Sequence, residues 1–238
     1  MRDFNLNPLL LDYHKLDEGI MLALHKPLYW TSFDMVKKLR SMLSVKKIGH
    51  AGTLDPLATG LLLICTGKKT KTISHYQDLE KVYTGEMILG KTTPSIDLET
   101  DFDHETPYEN LTEAIIYGLA PTFVGYTNQI PPAYSAIKTQ GTRAYKKARQ
   151  GEATMLTPRQ VFIRSFVITS ISMPSITFEV TCGKGTYIRS LVRDFGNRLG
   201  VGAYLKALCR TRIGSFRLED AYNVTELRST LQDAYLSS

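Results

Sequence analysis

The stretch HAGTLDPLATG, residues 50–60, holds an Asp-Pro step flanked by glycines and threonines. From these residues alone, the pattern is typical of a turn in which Asp55 caps a helix that Pro56 begins. A carboxylate with an ordinary pKa of about 3.9 is also ionised at neutral pH, and it needs no activating base to act as a nucleophile. The spacing of this stretch leaves both interpretations open.

The segments around this stretch mix strand and helix patterns. Apolar runs at 20–24, 61–65 and 82–89 predict strands, and apolar residues recur at helical spacing over 35–43. Strict alternation over 176–182 predicts a strand with one buried face. The patterns alone therefore predict one mixed α/β domain with a large sheet.

A second helix is predicted after this last strand. Its apolar residues share one stripe, and Gly200 stands at the expected C′ position. Arg189 and Arg193 fall outside that stripe. The stripe consists of Ile188, Leu191, Val192, Phe195 and Leu199.

Composition narrows the class of protein. The chain has 238 residues, of which 43% are apolar, so it can bury a sizeable core. Its net charge of +6 favours polyanionic partners, but many basic proteins that bind no nucleic acid have a similar charge. The three cysteines form no CxxC pair, so we expect neither a disulfide framework nor a zinc site. No apolar run approaches the roughly 20 residues of a membrane span. We expect a cytoplasmic enzyme or RNA-binding protein with no membrane association and no metal.

A basic segment covers residues 128–151, where no Asp or Glu occurs. A solvated helix face explains such a run equally well. Tyr134 and Tyr145 lie among the charges, however, and aromatic rings combined with cations are what RNA loops bind. The five basic residues are Lys138, Arg143, Lys146, Lys147 and Arg149.

A longer series of motifs resembles the bacterial tRNA pseudouridine-55 synthases, the TruB family. The resemblance runs from about residue 19 to residue 216, and an ordered series is far more specific than any single motif. In chain order the motifs are Lys26-Pro27 with Thr31-Ser32 downstream, HAGTLDPLATG, GKKTK ending at Lys71, KVYTGEM around Tyr83, IPPAYSAIK at 130–138, CGKGTYIRSL at 182–191, and Leu208-Cys209-Arg210.

This resemblance implies an α+β fold, a pseudouridine synthase-like fold with a large, mainly antiparallel sheet, flanking helices and a central catalytic cleft. It implies that the protein isomerises one uridine in the T-loop of tRNA, position 55, to pseudouridine without a cofactor. The uridine has to be flipped out of its stacked loop, which costs roughly a few kcal/mol. We expect a monomer that binds the T-arm stem-loop.

The resemblance also implies residue roles. Asp55 is the expected nucleophile, Tyr83 lies against the target base, Arg189 pairs with the aspartate, and His50 helps to splay the RNA bases. The Tyr83 hydroxyl is also suited to assist proton transfer. The remaining motif residues are expected to line the pocket or, for Lys26-Pro27, to shape a turn near the cleft. The pocket-lining set is Lys71, Tyr187 and Leu208.

The sequence departs from the family at several points. His25 and Tyr29 stand where aspartate and glycine are usual around Lys-Pro, and Cys209 replaces a common basic residue. The triplet at 93–95 reads Thr-Pro-Ser where Thr-Asp-Thr is common. We expect one catalytic domain over 1–238 with a basic RNA-binding insertion at about 128–156. The tail, about 217–238, is too short for a PUA-type domain and is expected to hold at most a helix over 224–235.

Three other functions fit parts of the pattern. The first is an RNA-binding or chaperone protein that has lost the reaction, although such a protein needs no set of Asp55, Tyr83 and Arg189. The second is a lyase or glycosidase acting on a free nucleoside, which lacks support because no second catalytic carboxylate stands near the motif. The third is the same chemistry on another structured RNA.

Overall fold

The computed structural model describes residues 18–135, 137–139, 142–150, 156–224 and 227. The chain forms two compact units. The first comprises the residues up to Val82 together with those from Cys209 onward, and the second is Tyr83–Leu208. The expectation of one catalytic domain stays a prediction.

The first unit is built on antiparallel strands. Strand β1 (Met21–Lys26) pairs with β3 (Ala58–Thr66) in a register that sets Lys26 opposite Gly60. Strand β2 (Ile48–His50) also pairs with β3, with His50 opposite Ile64. Because β2 ends and β3 begins on either side of residues 51–57, the sheet fixes both ends of the loop that carries Asp55.

Helix α1 (Ser32–Leu43) begins at a capping box. The Thr31 backbone N–H donates to the Asp34 carboxylate at 3.0 Å, and the Asp34 N–H donates back to the Thr31 hydroxyl at 3.0 Å, so two orphan donors of the helix end are satisfied. The buried face of α1 packs against apolar side chains of β1 and β3. Its buried apolar residues are Met35, Val36, Leu39 and Leu43.

The second unit contains a longer antiparallel sheet. Its strand order runs from β12 through β4, β11 and β10 to β7. Tyr83 is the first residue of β4 in this unit. The pairing of β10 with β11 has two register shifts, and the Phe166 ring packs edge-on against the rings of Phe178 and Phe195. The strands are β4 (Lys81–Leu89), β7 (Gly125–Gln129), β10 (Arg159–Ser172), β11 (Ser175–Cys182) and β12 (Ala203–Ile213).

Helix α5 (Ile188–Arg198) follows β11 directly. Its C-cap is Leu199, and Gly200 has φ +78°, the left-handed conformation that glycine adopts without strain at C′. The predicted helix, its apolar stripe and its terminal glycine are confirmed.

The remaining elements are short. They comprise α-helices of six or seven residues, two-residue strands and 3₁₀ turns between the longer elements. They are the 3₁₀ turns Gly67–Thr72, Ala120–Phe123 and Leu218–Asp220, helices α2 (Ile73–Asp78), α3 (Glu113–Leu119) and α4 (Ala144–Arg149), and strands β5 (Lys91–Thr92), β6 (His104–Glu105), β8 (Lys138–Thr139), β9 (Thr142–Arg143) and β13 (Phe216–Arg217).

The predicted α+β class and the mainly antiparallel sheet are confirmed. The runs at 61–65, 82–89 and 176–182 lie in strands, and so does the run at 20–24 except for Ile20, since β1 begins at Met21. Most of the helix expected over 224–235 lies outside the described residues. Among the described helices, none has the length and hydropathy needed to cross a membrane.

Candidate active site

Asp55 lies in a tight turn that leads into β3. The Ala58 N–H donates to the Asp55 carbonyl at 3.1 Å, and β3 begins at Ala58, so Pro56 starts no helix and the helix-cap interpretation of Asp55 is wrong. The hydroxyl of buried Ser32 accepts from the Leu54 N–H at 2.9 Å and donates to the Leu54 carbonyl at 3.2 Å. The residue before Asp55 is thus fixed through both of its backbone polar groups, while Asp55 itself is half-buried.

Lys26 lies directly beneath this turn and is 0% exposed. Its ammonium donates to the carbonyls of Trp30 at 2.6 Å, Pro27 at 2.9 Å and Pro56 at 3.4 Å. Burial lowers the pKa of Lys26 to about 8, and the negative charge of Asp55 opposes that shift. The ammonium therefore links the turn after β1 to the residue that follows Asp55.

Arg210 is a second buried cation in this unit, 1% exposed. Its Nε donates to the Leu61 carbonyl at 2.8 Å and its Nη2 to the Gly52 carbonyl at 3.2 Å. Gly60 has φ +108°, and a Cβ there would lie 2.4 Å from the Arg210 carbonyl oxygen, so only glycine fits. Arg210 and Gly60 together hold both ends of the HAGTLDPLATG loop.

His50 ends β2, at the first position of the loop. Burial lowers its pKa, and the nearby positive charge of Arg210 lowers it further, so the imidazole is neutral at pH 7. Lys71 belongs to the 3₁₀ turn Gly67–Thr72, where Lys68 and Lys69 are also exposed. The roles of His50 and Lys71 stay predictions.

Arg189 occupies the first turn of α5 in the second unit and is 3% exposed. Its guanidinium donates to the carbonyls of Tyr134 at 2.8 Å and Ser95 at 3.0 Å, and its Nη1 lies 3.5 Å from Oδ2 of buried Asp97. Arg189 therefore lies outside the apolar stripe of α5 but is still buried, because its charge is paired inside the protein. The predicted pairing of Arg189 with Asp55 stays a prediction.

The loop that carries Asp97 is held by its own hydroxyl groups. The Thr93 hydroxyl donates to the Asp97 carbonyl at 2.7 Å, and Ser95 Oγ donates to the same oxygen at 3.2 Å. The Asp97 carboxylate accepts from the Glu99 N–H at 3.0 Å. Thr93-Pro94-Ser95, a departure from the family pattern, thus keeps two hydroxyls that orient the partner of Arg189.

The other predicted pocket residues of this unit lie on three elements. Tyr83 is buried on β4, and Leu208 is half-buried on β12. Tyr187 is the N-cap of α5, where the Gln129 side chain accepts from its N–H at 2.8 Å and donates to its carbonyl at 3.0 Å. The Arg159 guanidinium stacks 4.6 Å from the centre of the Tyr187 ring.

The basic segment forms β8, β9 and α4. Lys146 is exposed and Lys147 half-buried on α4, whereas Lys138 and Arg143 lie on the paired strands β8 and β9. Arg149 donates to the Glu99 carboxylate at 2.6 Å, and this hydrogen bond together with the negative charge raises the Arg149 pKa. An RNA phosphate would have to compete with Glu99 for Arg149.

The comparisons with known proteins decide the family. Residues 40–188 match the TruB family pseudouridylate synthase (N terminal domain). The tRNA pseudouridine synthase B of Flavobacterium johnsoniae is 49% identical over 222 residues, covering 90% of this chain and 97% of the relative. This chain belongs to the TruB family of pseudouridylate synthases. The tRNA pseudouridine synthase B of Parabacteroides distasonis is 46% identical over 220 residues, covering 90% of this chain and 94% of the relative.

Solved structures place this TruB-family chain in the same fold. It superposes with a TM-score of 0.72 on a chain from the crystal structure of a Cbf5-Nop10-Gar1 complex, with 27% identity and 95% of this chain covered. The match spans 59% of that solved chain. A chain from a structure of an H/ACA RNP bound to a substrate RNA containing 2'-deoxyuridine gives 0.68 with 24% identity, covers 96% of this chain and 61% of its own, and supports the fold alone.

The predicted family, fold and isomerase class are confirmed by these findings. Two buried charges that sequence reasoning gave no role, Arg210 and Asp97, organise the two loops described above. Their only sequence signals were the Leu-Cys-Arg motif and an aspartate after Thr93-Pro94-Ser95. Within the described ranges, no group of three His, Cys, Asp or Glu side chains is arranged to hold a metal ion.

We expect the Lys26 ammonium to make the stability of this TruB-family protein rise with pH. Its pKa is lowered to about 8 in the folded protein, against 10.5 as the ordinary value. Between those pH values the unfolded chain binds more protons than the folded one, so folding is increasingly favoured as pH rises. Relative to Lys26→Met, wild type should gain up to about 1.4 kcal/mol of unfolding free energy per pH unit over that window.

Urea unfolding of both proteins at pH 7, 8, 9 and 10 measures this difference. Methionine keeps the apolar stem and removes only the titrating group, and the exposed Lys68→Met is the control that should show no such trend. A difference between wild type and Lys26→Met that is flat across the series would contradict a lowered pKa.

Proposed function

We propose that this protein isomerises a uridine of tRNA to pseudouridine, with Asp55 as the carboxylate that attacks the nucleotide. Relatives at 49% and 46% identity carry the name tRNA pseudouridine synthase B. The observation that carries the assignment to Asp55 is the construction of its turn: Ser32 holds the preceding residue, and the buried Lys26 ammonium lies beneath the following one. A carboxylate on a turn that is fixed on both sides is suited to act as a nucleophile without an activating base.

The reaction exchanges one bond for another within the same nucleotide. The bond between ribose C1′ and uracil N1 breaks, the uracil turns, and a bond from C1′ to C5 forms. The proton on C5 is released and N1 gains a proton, so no oxidant, reductant or cofactor enters the balance. Asp55 would attack either the ribose or the base, or promote elimination at the ribose, and each route keeps the same overall balance.

Other residues are proposed to act around Asp55 as the family resemblance implies. Tyr83 stacks on the extruded base, a contact that returns roughly 1–3 kcal/mol, and its hydroxyl assists proton transfer at C5. The predicted pairing of Arg189 with the reacting carboxylate stays a proposal, since the carboxylate that the structure shows beside Arg189 is that of Asp97. Neutral His50 helps to separate the neighbouring bases.

We propose that the target uridine is at position 55 in the T-loop. The protein binds it as a monomer in the cytoplasm. The basic segment and the catalytic loop would supply the contacts, so an isolated T-arm stem-loop should be nearly as good a substrate as whole tRNA. A preference for whole tRNA above about 100-fold, which is about 2.8 kcal/mol, would place important contacts outside the T-arm.

Release of tritium from uracil C5 of a labelled T-arm stem-loop tests the proposed reaction. Wild-type protein should release one equivalent per RNA and yield pseudouridine at the target on digestion. A stem-loop with cytidine at the target position is the matched control and should release none. Tight binding without release would indicate an RNA-binding protein that has lost the chemistry.

Phosphate neutralisation by the basic segment gives a second measurable outcome. If about three of Lys138, Arg143, Lys146, Lys147 and Arg149 reach phosphates, the log affinity should fall with log salt at a slope of roughly −2 to −3. Replacing all five with alanine should flatten that slope. Arg217→Ala, at an exposed ion pair with Glu219, is the control that should leave it unchanged. An unaltered slope in the five-alanine protein would exclude this segment as the main phosphate contact.

A further inference from the structure

Tyr29 lies in a turn beside the Asp55 loop in an unfavourable backbone conformation. Its φ is +66°, a left-handed value that costs a non-glycine residue roughly 1–2 kcal/mol. Its side chain is 74% exposed, so burial in the core does not offset that cost. A strained, exposed aromatic next to a reactive loop is the kind of outlier that points to function.

The turn that carries Tyr29 is fixed to the Asp55 loop. The Tyr29 N–H donates to the Pro56 carbonyl at 2.9 Å, so the backbone of the strained residue bonds the residue that follows Asp55. The Lys26 ammonium donates hydrogen bonds to the carbonyls of Pro27 and Trp30, which precede and follow Tyr29, and to the Pro56 carbonyl. The Tyr29 backbone is therefore fixed to the Asp55 loop, while its side chain extends into solvent.

Exposed apolar and basic side chains lie close to Tyr29 in sequence. Leu28, the preceding residue, is exposed, and Phe33 in the first turn of α1 is 54% exposed. The Lys37 ammonium lies 5.0 Å from the centre of the Phe33 ring. Exposed aromatic rings combined with cations form the kind of surface on which unpaired nucleobases stack.

We propose that Tyr29 is a substrate-binding residue that stacks on an unpaired base of the RNA beside the flipped uridine. The proposal rests on the proposed function, since it takes RNA as the occupant of the Asp55 site. Extruding one nucleotide unstacks the neighbouring bases. The Tyr29 ring, on a turn that is hydrogen-bonded to the catalytic loop, stacks on one of those bases. The strain at Tyr29 is then the cost of presenting a ring at that place.

Equilibrium binding of a T-arm stem-loop and thermal unfolding of Tyr29→Gly test the proposal together. Glycine relieves the left-handed strain, so the midpoint of unfolding should be no lower than in wild type. Loss of the ring should weaken binding about ten-fold, the size of one base-stacking contact. The slope of log affinity against log salt should stay the same, because no phosphate contact is removed. Tyr29→Phe should bind like wild type.

Ser44→Gly is the matched control. Ser44 is exposed, has φ +51° at the end of α1 and carries no ring, so glycine there should relieve strain in the same way while leaving binding unchanged. The chain has a single tryptophan, Trp30, next to Tyr29, and its fluorescence should change on RNA binding in wild type.

Each contrary result has a distinct meaning. Binding by Tyr29→Gly within two-fold of wild type would overturn the proposal, and so would weaker binding accompanied by a lower unfolding midpoint, since that combination indicates a structural role. Light scattering that showed a wild-type dimer converted to monomer by Tyr29→Gly would assign the ring to a second copy of this chain instead. Failure of wild type to release tritium would count against the proposed function, whereas normal release with unchanged Tyr29→Gly binding would overturn this inference alone.

Discussion

Asp55→Asn should reduce tritium release below about one per cent of the wild-type rate, a loss of more than about 2.7 kcal/mol in transition-state stabilisation. The amide has the shape of the carboxylate but is a poor nucleophile, so the covalent or elimination step lacks its reacting group. RNA affinity should stay within a few-fold of wild type. The Ser32 and Ala58 hydrogen bonds of the turn involve backbone atoms and remain in place.

Single-turnover tritium release and filter binding with the same stem-loop measure the two effects separately. Asp101→Asn makes the same chemical change at an exposed carboxylate and should leave both unchanged. Activity of Asp55→Asn above one per cent would remove Asp55 from the reacting role. A large loss of RNA affinity would show that the carboxylate serves binding instead.

Asp97→Asn should lower the free energy of unfolding by about 3 kcal/mol. The substitution removes a carboxylate charge that lies 3.5 Å from the guanidinium of Arg189, which is 3% exposed, and breaking a buried ion pair is strongly destabilising. Asparagine retains an oxygen that can accept the Glu99 N–H, so the loss reports the charge rather than the shape. Urea unfolding gives the difference directly.

Asp194→Asn is the control, on the helix α5 that also carries Arg189. Asp194 pairs with Arg193 at 2.8 Å, but both side chains are partly exposed, and such a pair contributes less than about 1 kcal/mol. Equal losses in Asp97→Asn and Asp194→Asn would contradict a structural role for the buried pair.

The sequence predicted the elements whose pattern repeats. The α5 stripe and its Gly200, strand β3 and the strand of Tyr83 follow from periodicity and turn chemistry, whereas β2, which leads into the catalytic loop, was not predicted. The backbone around Asp55 did not follow, because a Pro after Asp fits a helix start and a turn equally well. The turn at Asp55 is determined by the pairing of β3 with β1 and β2, which joins residues that are distant in sequence.

The burial of charged side chains was the main feature that the sequence pattern did not predict. Lys26, Arg189 and Arg210 look like surface residues in sequence, because a cation carries no signal for the acceptors that it will meet after folding. Their acceptors are mostly backbone carbonyls, which every residue possesses. Motif resemblance identified Arg189, but only the folded chain identified Asp97 as its partner.

The burial of Lys26 also determines how the protein responds to chemical labelling. Its lowered pKa makes its amine more nucleophilic near pH 8 than that of an ordinary lysine, yet no reagent can reach it while the turn is closed. Acylating dyes will therefore modify exposed amines such as Lys68, Lys69 and Lys71 first. Slow modification of Lys26, followed by mass spectrometry, would then time the spontaneous opening of the loop that carries Asp55.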